Sequence, residues 1–180
     1  MIATPQSDGI VPDIMENKLY LGIDNGLDGG IVGIDGDGHC SFKKIMPTIS
    51  GRDSKRIYDI PAMISTLTVF KERIRMVILE KSQAFPGQGR TSAWSTGHGQ
   101  GIWEGIIMTL NIPCSIVGPQ SWQRVIFRDM NFTETKQASL LACQRLFPNE
   151  SWLATERSRR PHDGLTDAAC LAEYGRRIYR

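Results

Sequence analysis

The sequence predicts an α/β fold with a mixed, five-stranded sheet flanked by helices. Two patterns carry that expectation. Residues 18–46 read as a meander of three short β runs, KLYLGID, GGIVGID and HCSFKKIM, separated by turn formers at 25–29 and 35–38. Beyond residue 58 helical and strand periodicities alternate, giving the order βββ-α-β-α-β-α-α.

Each later element has its own signal. Asp59 can cap a helix with Pro61 in its first turn and Met63, Ile64, Leu67 and Phe70 as its apolar stripe. Residues 75–80 form a short apolar run ending in Glu80, followed by a polar loop over 82–97. The segment 98–112 reads as a helix despite its glycines. Gly97, Gly101 and Gly105 recur every four residues on one face, each at a cost of about 1 kcal/mol against alanine. Either core packing or close approach of another helix, the sheet or a second subunit accounts for them. A strand over 113–117 follows, then helices over 122–127, 134–147 and 163–179.

At 180 residues, 41% hydrophobic and 22% charged, the chain has the composition of one ordinary globular domain. Residues 18–180 are expected to form it, with 1–17 as a flexible extension. The net charge of +2 is compatible with nucleic acid without arguing for it. Arginines cluster at 157, 159 and 160 and again at 176, 177 and 180. Beside an acidic site these are candidates for positioning phosphates; elsewhere they would be a solvated basic face. Cys40, Cys114, Cys143 and Cys170 form no CxxC pair, so buried free thiols and a reducing compartment are expected. No apolar run approaches the roughly 18 residues of a membrane span, and no signal peptide is visible. A cytoplasmic location, in a bacterial or phage-infected cell, follows as an expectation.

Four acidic residues draw attention by position. Asp24 ends an apolar strand and opens a glycine turn, where it either meets a metal or phosphate or caps the turn through an Asx bond. Glu80 ends a second apolar run, and is either a ligand or the partner of Lys81 or Arg90. Asp163 and Asp167 stand four residues apart, so they share a helix face and repel unless a cation lies between them. The bland alternative is an N-cap and a solvated first-turn residue. His162 is open between a further ligand, a proton-handling group and a capping neighbour.

Taken together, LYLGIDNGLDGGI, MVILEKSQAFPGQGRTSAWSTGHGQGIWEGII, IVGPQSWQR and RRPHDGLTDAACLAEYG resemble the RuvC family of Holliday-junction resolvases, within the RNase H-like superfamily. The likeness spans about 18–180 and is nearest to the chloroplast resolvases of plants and related phage or bacterial proteins. It implies a structure-selective endodeoxyribonuclease making paired, symmetric nicks in four-way junction DNA. It also implies two magnesium ions per site, for which manganese can substitute. Asp24 would bridge both ions, Glu80 would ligate one, and Asp163 and Asp167 the other. Lys136 matches a lysine near the scissile phosphate. Phe85 lies where the family inserts an aromatic at the junction centre, although an aromatic beside Pro86 equally suits a loop anchor. Arg90, Arg124, Arg159 and Arg160 are the expected DNA contacts. Two departures stand out: the last carboxylate is Asp167 where the chloroplast branch has Glu, and Gln123 replaces a basic residue after Trp122.

The resemblance further implies a homodimer through the glycine-spaced helix, with Trp94 and Trp103 placed there. A helicase partner is left open. The competing functions are a nuclease of flaps or RNA, a non-catalytic junction binder, and an actin-like ATP-binding module, for which the chain is too short.

Overall fold

The computed structural model describes residues 18–83, 87, 89–128, 130 and 135–180. The N-terminal extension and Phe85 lie outside these residues, as does Pro86.

The meander is present as β1 (Leu19–Asp24), β2 (Gly30–Asp35) and β3 (Cys40–Ile45), paired antiparallel in sequence. β6 (Ile74–Glu80) joins β1 in parallel and β7 (Cys114–Val117) joins β6 in parallel, giving a mixed sheet in the order β3-β2-β1-β6-β7. Between β3 and β6 lie a small antiparallel hairpin, β4 (Thr48–Ser50) and β5 (Arg56–Tyr58), and helix α1 (Ile60–Phe70). Helix α2 (Arg90–Thr109) precedes β7; α3 (Pro119–Ile126), α4 (Thr135–Leu146) and α5 (Asp163–Tyr179) follow it.

The alternating side chains of the strands feed two cores. Leu19, Leu21 and Ile23 of β1 pack with Val77 and Leu79 against Met63 and Leu67 of α1 and Trp103 and Ile107 of α2. On the opposite face Val32, Ile34 and Ile78 meet Trp122, Ala142, Ala168, Leu171 and Ala172 from α3, α4 and α5.

Several sequence expectations need correction. The β4–β5 hairpin lies between the third strand and the first helix, where the sequence predicts no element. Helix α2 starts at Arg90, so the polar stretch 90–97 is helical rather than loop. Asp59 does cap α1, accepting from the Ala62 amide, but Ile64 stands exposed outside the buried stripe. All four thiols are free, yet Cys114 is exposed at the edge strand and Cys40 half-buried; only Cys143 and Cys170 are fully buried. Trp103 is 0% exposed in the chain's own core, so it is withdrawn from any subunit contact. The spaced glycines divide as well. A Cβ added at Gly97, Gly101 or Gly105 meets nothing within 4 Å, which removes core packing as their reason. The glycine that α2's own packing requires is Gly99, whose Cβ would lie 2.3 Å from the Tyr58 hydroxyl.

Helix α5 and strand β1 meet backbone to backbone. A Cβ on Gly22 would sit 1.9 Å from the Ala168 carbonyl and 2.4 Å from the Ala172 amide. One turn towards the helix start, a Cβ on Gly164 would meet the Asp28 carbonyl at 2.4 Å, and Gly29 bridges to Gly164. Gly22→Ala is therefore expected to cost about 3 kcal/mol, the upper end for overpacking, because the colliding atoms are backbone and cannot rotate away. A lower urea midpoint at unchanged m-value is the check.

Candidate active site

Asp24 and Glu80 end adjacent parallel strands, immediately after the paired residues Ile23 and Leu79. Neighbouring strands lie about 4.8 Å apart, so equal register sets the two carboxylates side by side. Gly22 and Ile78 face α5, and the period of two turns Asp24 and Glu80 to the same face. Helix α5 runs antiparallel to β1, from Gly164 beside Gly29 and Gly30 to Ala168 beside Gly22. Its first turns, bearing Asp163 and Asp167, thereby come to the carboxyl end of β1.

The electrostatics record this convergence. The carboxyl of Asp24 is pushed up to about 7, chiefly by burial and then by Glu80 and Asp167. Glu80 is raised by burial, with the Trp122 hydrogen bond opposing and Asp167 adding to the rise. Asp167 is likewise raised by burial, opposed by a hydrogen bond from Ser139 and reinforced by Asp163. Asp163 itself is exposed at the start of α5. The structure thus brings Asp24, Glu80 and Asp167 into mutual repulsion, with Asp163 at the open rim.

Neutral donors hold this acidic group in place. The Gly26 amide donates to Asp24 Oδ1 at 3.2 Å, so the Asx turn is real and engages one carboxylate oxygen. The indole Nε1 of Trp122, itself 1% exposed, donates to Glu80 Oε1 at 2.8 Å. Among the described residues no Lys or Arg pairs with Asp24, Glu80 or Asp167, which sets aside the salt bridge from Lys81 or Arg90. Asn25, 4% exposed, donates from Nδ2 to the Glu80 carbonyl at 2.7 Å and accepts at its own carbonyl from the Tyr58 hydroxyl at 2.9 Å. Asn25 ties β1, β6 and β5 together behind the carboxylates. In the sequence Asn25 is marked only as a turn former, and nothing assigns a role to Trp122, Ser139 or Tyr58. Only the buried size of Trp122 carried a signal.

His162 occupies the N-cap position of α5, but its side chain makes no capping bond and its buried Nδ1 has no partner among the described residues. The capping reading is thereby removed. Arg90, Arg124, Arg159 and Arg160 are exposed. Arg176 and Arg177 are not free for phosphate. Both clamp Glu173, 2% exposed, through bonds of 2.7 to 2.8 Å, and Arg177 also reaches the Val125 carbonyl. Lys136 lies in the first turn of α4.

The site's donor set is carboxylate oxygen, which suits hard divalent cations such as magnesium or manganese better than zinc. Three half-buried acids with no cationic side chain paired to them among the described residues are groups that such ions would neutralise. Among the described residues the one set of three donors lying within 4.8 Å of one another is elsewhere, at Asp35, Asp37 and His39 in the β2–β3 turn. There Asp35 Oδ1 accepts from the Asp37 and His39 amides, so the turn explains the cluster.

Two outcomes follow. Asp24 keeps in the folded state a proton that the unfolded chain loses near its ordinary value of 3.8. Without divalent cations, stability should be full at pH 4, fall as pH rises to about 7, and stay level above. Asp24→Asn should remove that loss, gaining on the order of 2–4 kcal/mol at pH 8 and almost nothing at pH 4, as read by urea melts in a chelator. Trp122→Phe keeps a ring in the core and deletes the donor to Glu80. A roughly tenfold rise in the magnesium concentration that half-saturates the thermal shift is expected, about 1.4 kcal/mol of affinity.

No protein-family model matches the sequence, and no curated protein matches it. Solved structures do match its shape. T. thermophilus RuvC in complex with a Holliday junction substrate is 15% identical with a TM-score of 0.56, covering 89% of this chain and 96% of that one. A second Thermus thermophilus RuvC structure is 17% identical with a TM-score of 0.52 over the same shares. Likeness at such identity is likeness of fold: the chain has the RNase H-like fold of RuvC, a mixed five-stranded sheet with helices on both faces.

Proposed function

We propose that the chain is a divalent-metal-dependent endodeoxyribonuclease that resolves four-way DNA junctions by paired symmetric nicks. The observation that carries this reading is the meeting of Asp24, Glu80 and Asp167 at the carboxyl ends of adjacent parallel strands, each raised by burial and by its neighbours. Asp24, Glu80, Asp163 and Asp167 would hold two magnesium ions, which when bound activate a water and stabilise the leaving oxygen of a phosphodiester.

The chain's own groups have separate tasks. Asp24, central and most strongly raised, exchanges its proton for a cation near neutral pH. Trp122 and the Asn25 bond to the Glu80 backbone keep Glu80 in one orientation, and Ser139 does the same for Asp167. Preorganised ligands of this kind need no rearrangement when charge develops on the phosphate. Lys136 is proposed as a counter-charge near the scissile phosphate. Phe85 is proposed as an aromatic at the junction centre, and Arg90, Arg124, Arg159 and Arg160 as backbone contacts. His162 is kept as an additional ligand.

Two symmetric nicks require two sites related by a two-fold axis. The α1–α2 face supports a homodimer. Its groove is lined by Ile60, Ile64, Gly101, Ile102, Gly105 and Thr109, with Trp94 65% and Met108 75% exposed. The open glycines let a second backbone approach.

A four-way junction incubated with magnesium should acquire paired nicks, with 5′-phosphate and 3′-hydroxyl ends, while linear duplex stays intact. Asp24→Asn should abolish cutting by at least about a thousandfold, roughly 4 kcal/mol in the barrier, and keep junction binding. Cutting of flaps or RNA in place of junctions would move the substrate. Unchanged cutting by the variant would sink the metal site.

A further inference from the structure

The β4–β5 hairpin is anchored to the core through Tyr58 and to the Asp24 turn through Tyr58 and Arg56, but its tip serves neither. Of residues 52–58 only Tyr58 is buried. Ile49 and Ile57 pair across the two strands, yet each is about half exposed. The turn between them reads GRDSKR, with three cations against one acid. Asp53 and Ser54 take positive φ of 60° and 59°, a conformation that L residues adopt rarely. A two-stranded ribbon of this length is marginal on its own, so its persistence comes from its root.

The root is tied to the turn that carries Asp24. The Tyr58 hydroxyl donates to the Asn25 carbonyl at 2.9 Å. The Met46 amide donates to the Gly29 carbonyl, and the Asp59 amide closes the base on the Pro47 carbonyl, both at 3.0 Å. Arg56 pairs with Asp28 in the same turn. Arg52 and Lys55 at the tip are exposed and make no ion pair among the described residues. Strands of three residues at about 3.3 Å each carry that tip roughly 10 Å out from the turn. Along one strand of a duplex at about 3.4 Å per nucleotide, this corresponds to roughly three nucleotides.

We infer that the hairpin is an arm that grips the DNA backbone about three nucleotides from the cleavage position, with Arg52 and Lys55 on consecutive phosphates. The inference rests on the nuclease reading above and adds a contact that the carboxylates do not need. It places the arm's register under the control of the Asp24 turn, because both hang on Asn25 and Gly29. Such contacts position a substrate without reading its sequence.

The test is the salt dependence of binding by the full chain. A fluorescent four-way junction is titrated in calcium at several salt concentrations, comparing the wild-type chain with Arg52→Ala/Lys55→Ala. Each phosphate contact contributes about 0.9 to the slope of log affinity against log salt. The double variant should therefore lose about 1.8 from that slope, with on the order of tenfold weaker binding near 0.1 M salt. Lys71→Ala/Arg75→Ala makes the same charge change at the opposite end of β6 and should leave the slope unaltered. An equal loss in both variants would reduce the effect to net charge and overturn the arm. So would a slope unchanged by the hairpin variant, which leaves the nuclease reading intact. A hairpin variant that changes oligomeric state at constant slope would make the ribbon a contact between copies, and also overturn the proposal. Failure of the wild-type chain to bind junction DNA at all would sink the nuclease reading and the arm with it.

Discussion

Because α5 lies backbone to backbone on β1, the placement of the carboxylates follows from two glycines. At Gly22 and Gly164 the helix and the sheet approach so closely that no side chain fits between them. Helix packing at ordinary distances, 8–10 Å between axes, would leave a layer of side chains in that space. Removing the layer draws the first turns of α5 onto the end of β1, and only then do Asp167 and Asp24 sense each other. The small residues Ala168, Ala169 and Ala172 continue the seam, and all are fully buried. Gly22, which weakens β1 as a strand, is thus with Gly164 what allows an acidic helix start to reach an acidic strand end.

That arrangement works against stability, and the chain offsets part of the cost with neutral donors. Trp122, Ser139 and the Gly26 amide each give one hydrogen bond to a different carboxylate. Bonds to charged acceptors contribute about 1.5–3 kcal/mol each, less than full ionisation of three neighbouring half-buried acids demands. The residual strain appears as raised proton affinity. It also reaches Tyr58, whose hydroxyl is pushed up to about 12 by burial and then by Asp24. A proton or a cation would relieve the same repulsion, so the proposed metal binding would be coupled to pH.

Much of this was legible in the sequence, and the illegible parts share a cause. Asp24 and Glu80 were readable because an acid that closes an apolar strand has few ordinary explanations. Helix α5 was readable from end to end because its apolar positions repeat without interruption. The β4–β5 hairpin was hidden because its strands are three residues long and their isoleucines stay exposed, so no burial pattern marks them. The start of α2 was hidden by serine, threonine and glycine, whose weak helix preference is offset by side-chain contacts along the helix itself. One is the stacking of Trp94 on His98, one turn apart at 4.6 Å. Gly99 went unread beside the more regular Gly97, Gly101 and Gly105, because periodicity shows which residues share a face but not which face is crowded. Trp122 stands 42 positions from Glu80, and only the assembled sheet and α3 bring them together.

The chain also contains its own comparison for the acidic site. Glu173 is a buried carboxylate on the same helix as Asp163 and Asp167, and burial alone would raise it. Hydrogen bonds and charges from Arg176 and Arg177 outweigh burial and hold it below the usual carboxylate range. Arg176 is raised in turn by the same pair. One helix therefore carries two solutions to a buried acid. At its carboxyl-terminal end the charge is neutralised from within, by arginines three and four residues away, and the result is a structural clamp on the Gly36 and Val125 carbonyls. At its amino-terminal end the helix dipole favours anions, yet among the described residues no arginine or lysine completes the pairing. A chain able to place arginines so well at one end of α5 has, at the other, gathered carboxylates from three elements around donors that are all neutral among the described residues. Cations from solution would balance that charge, which is the role the proposed metal-assisted phosphodiester hydrolysis gives these carboxylates.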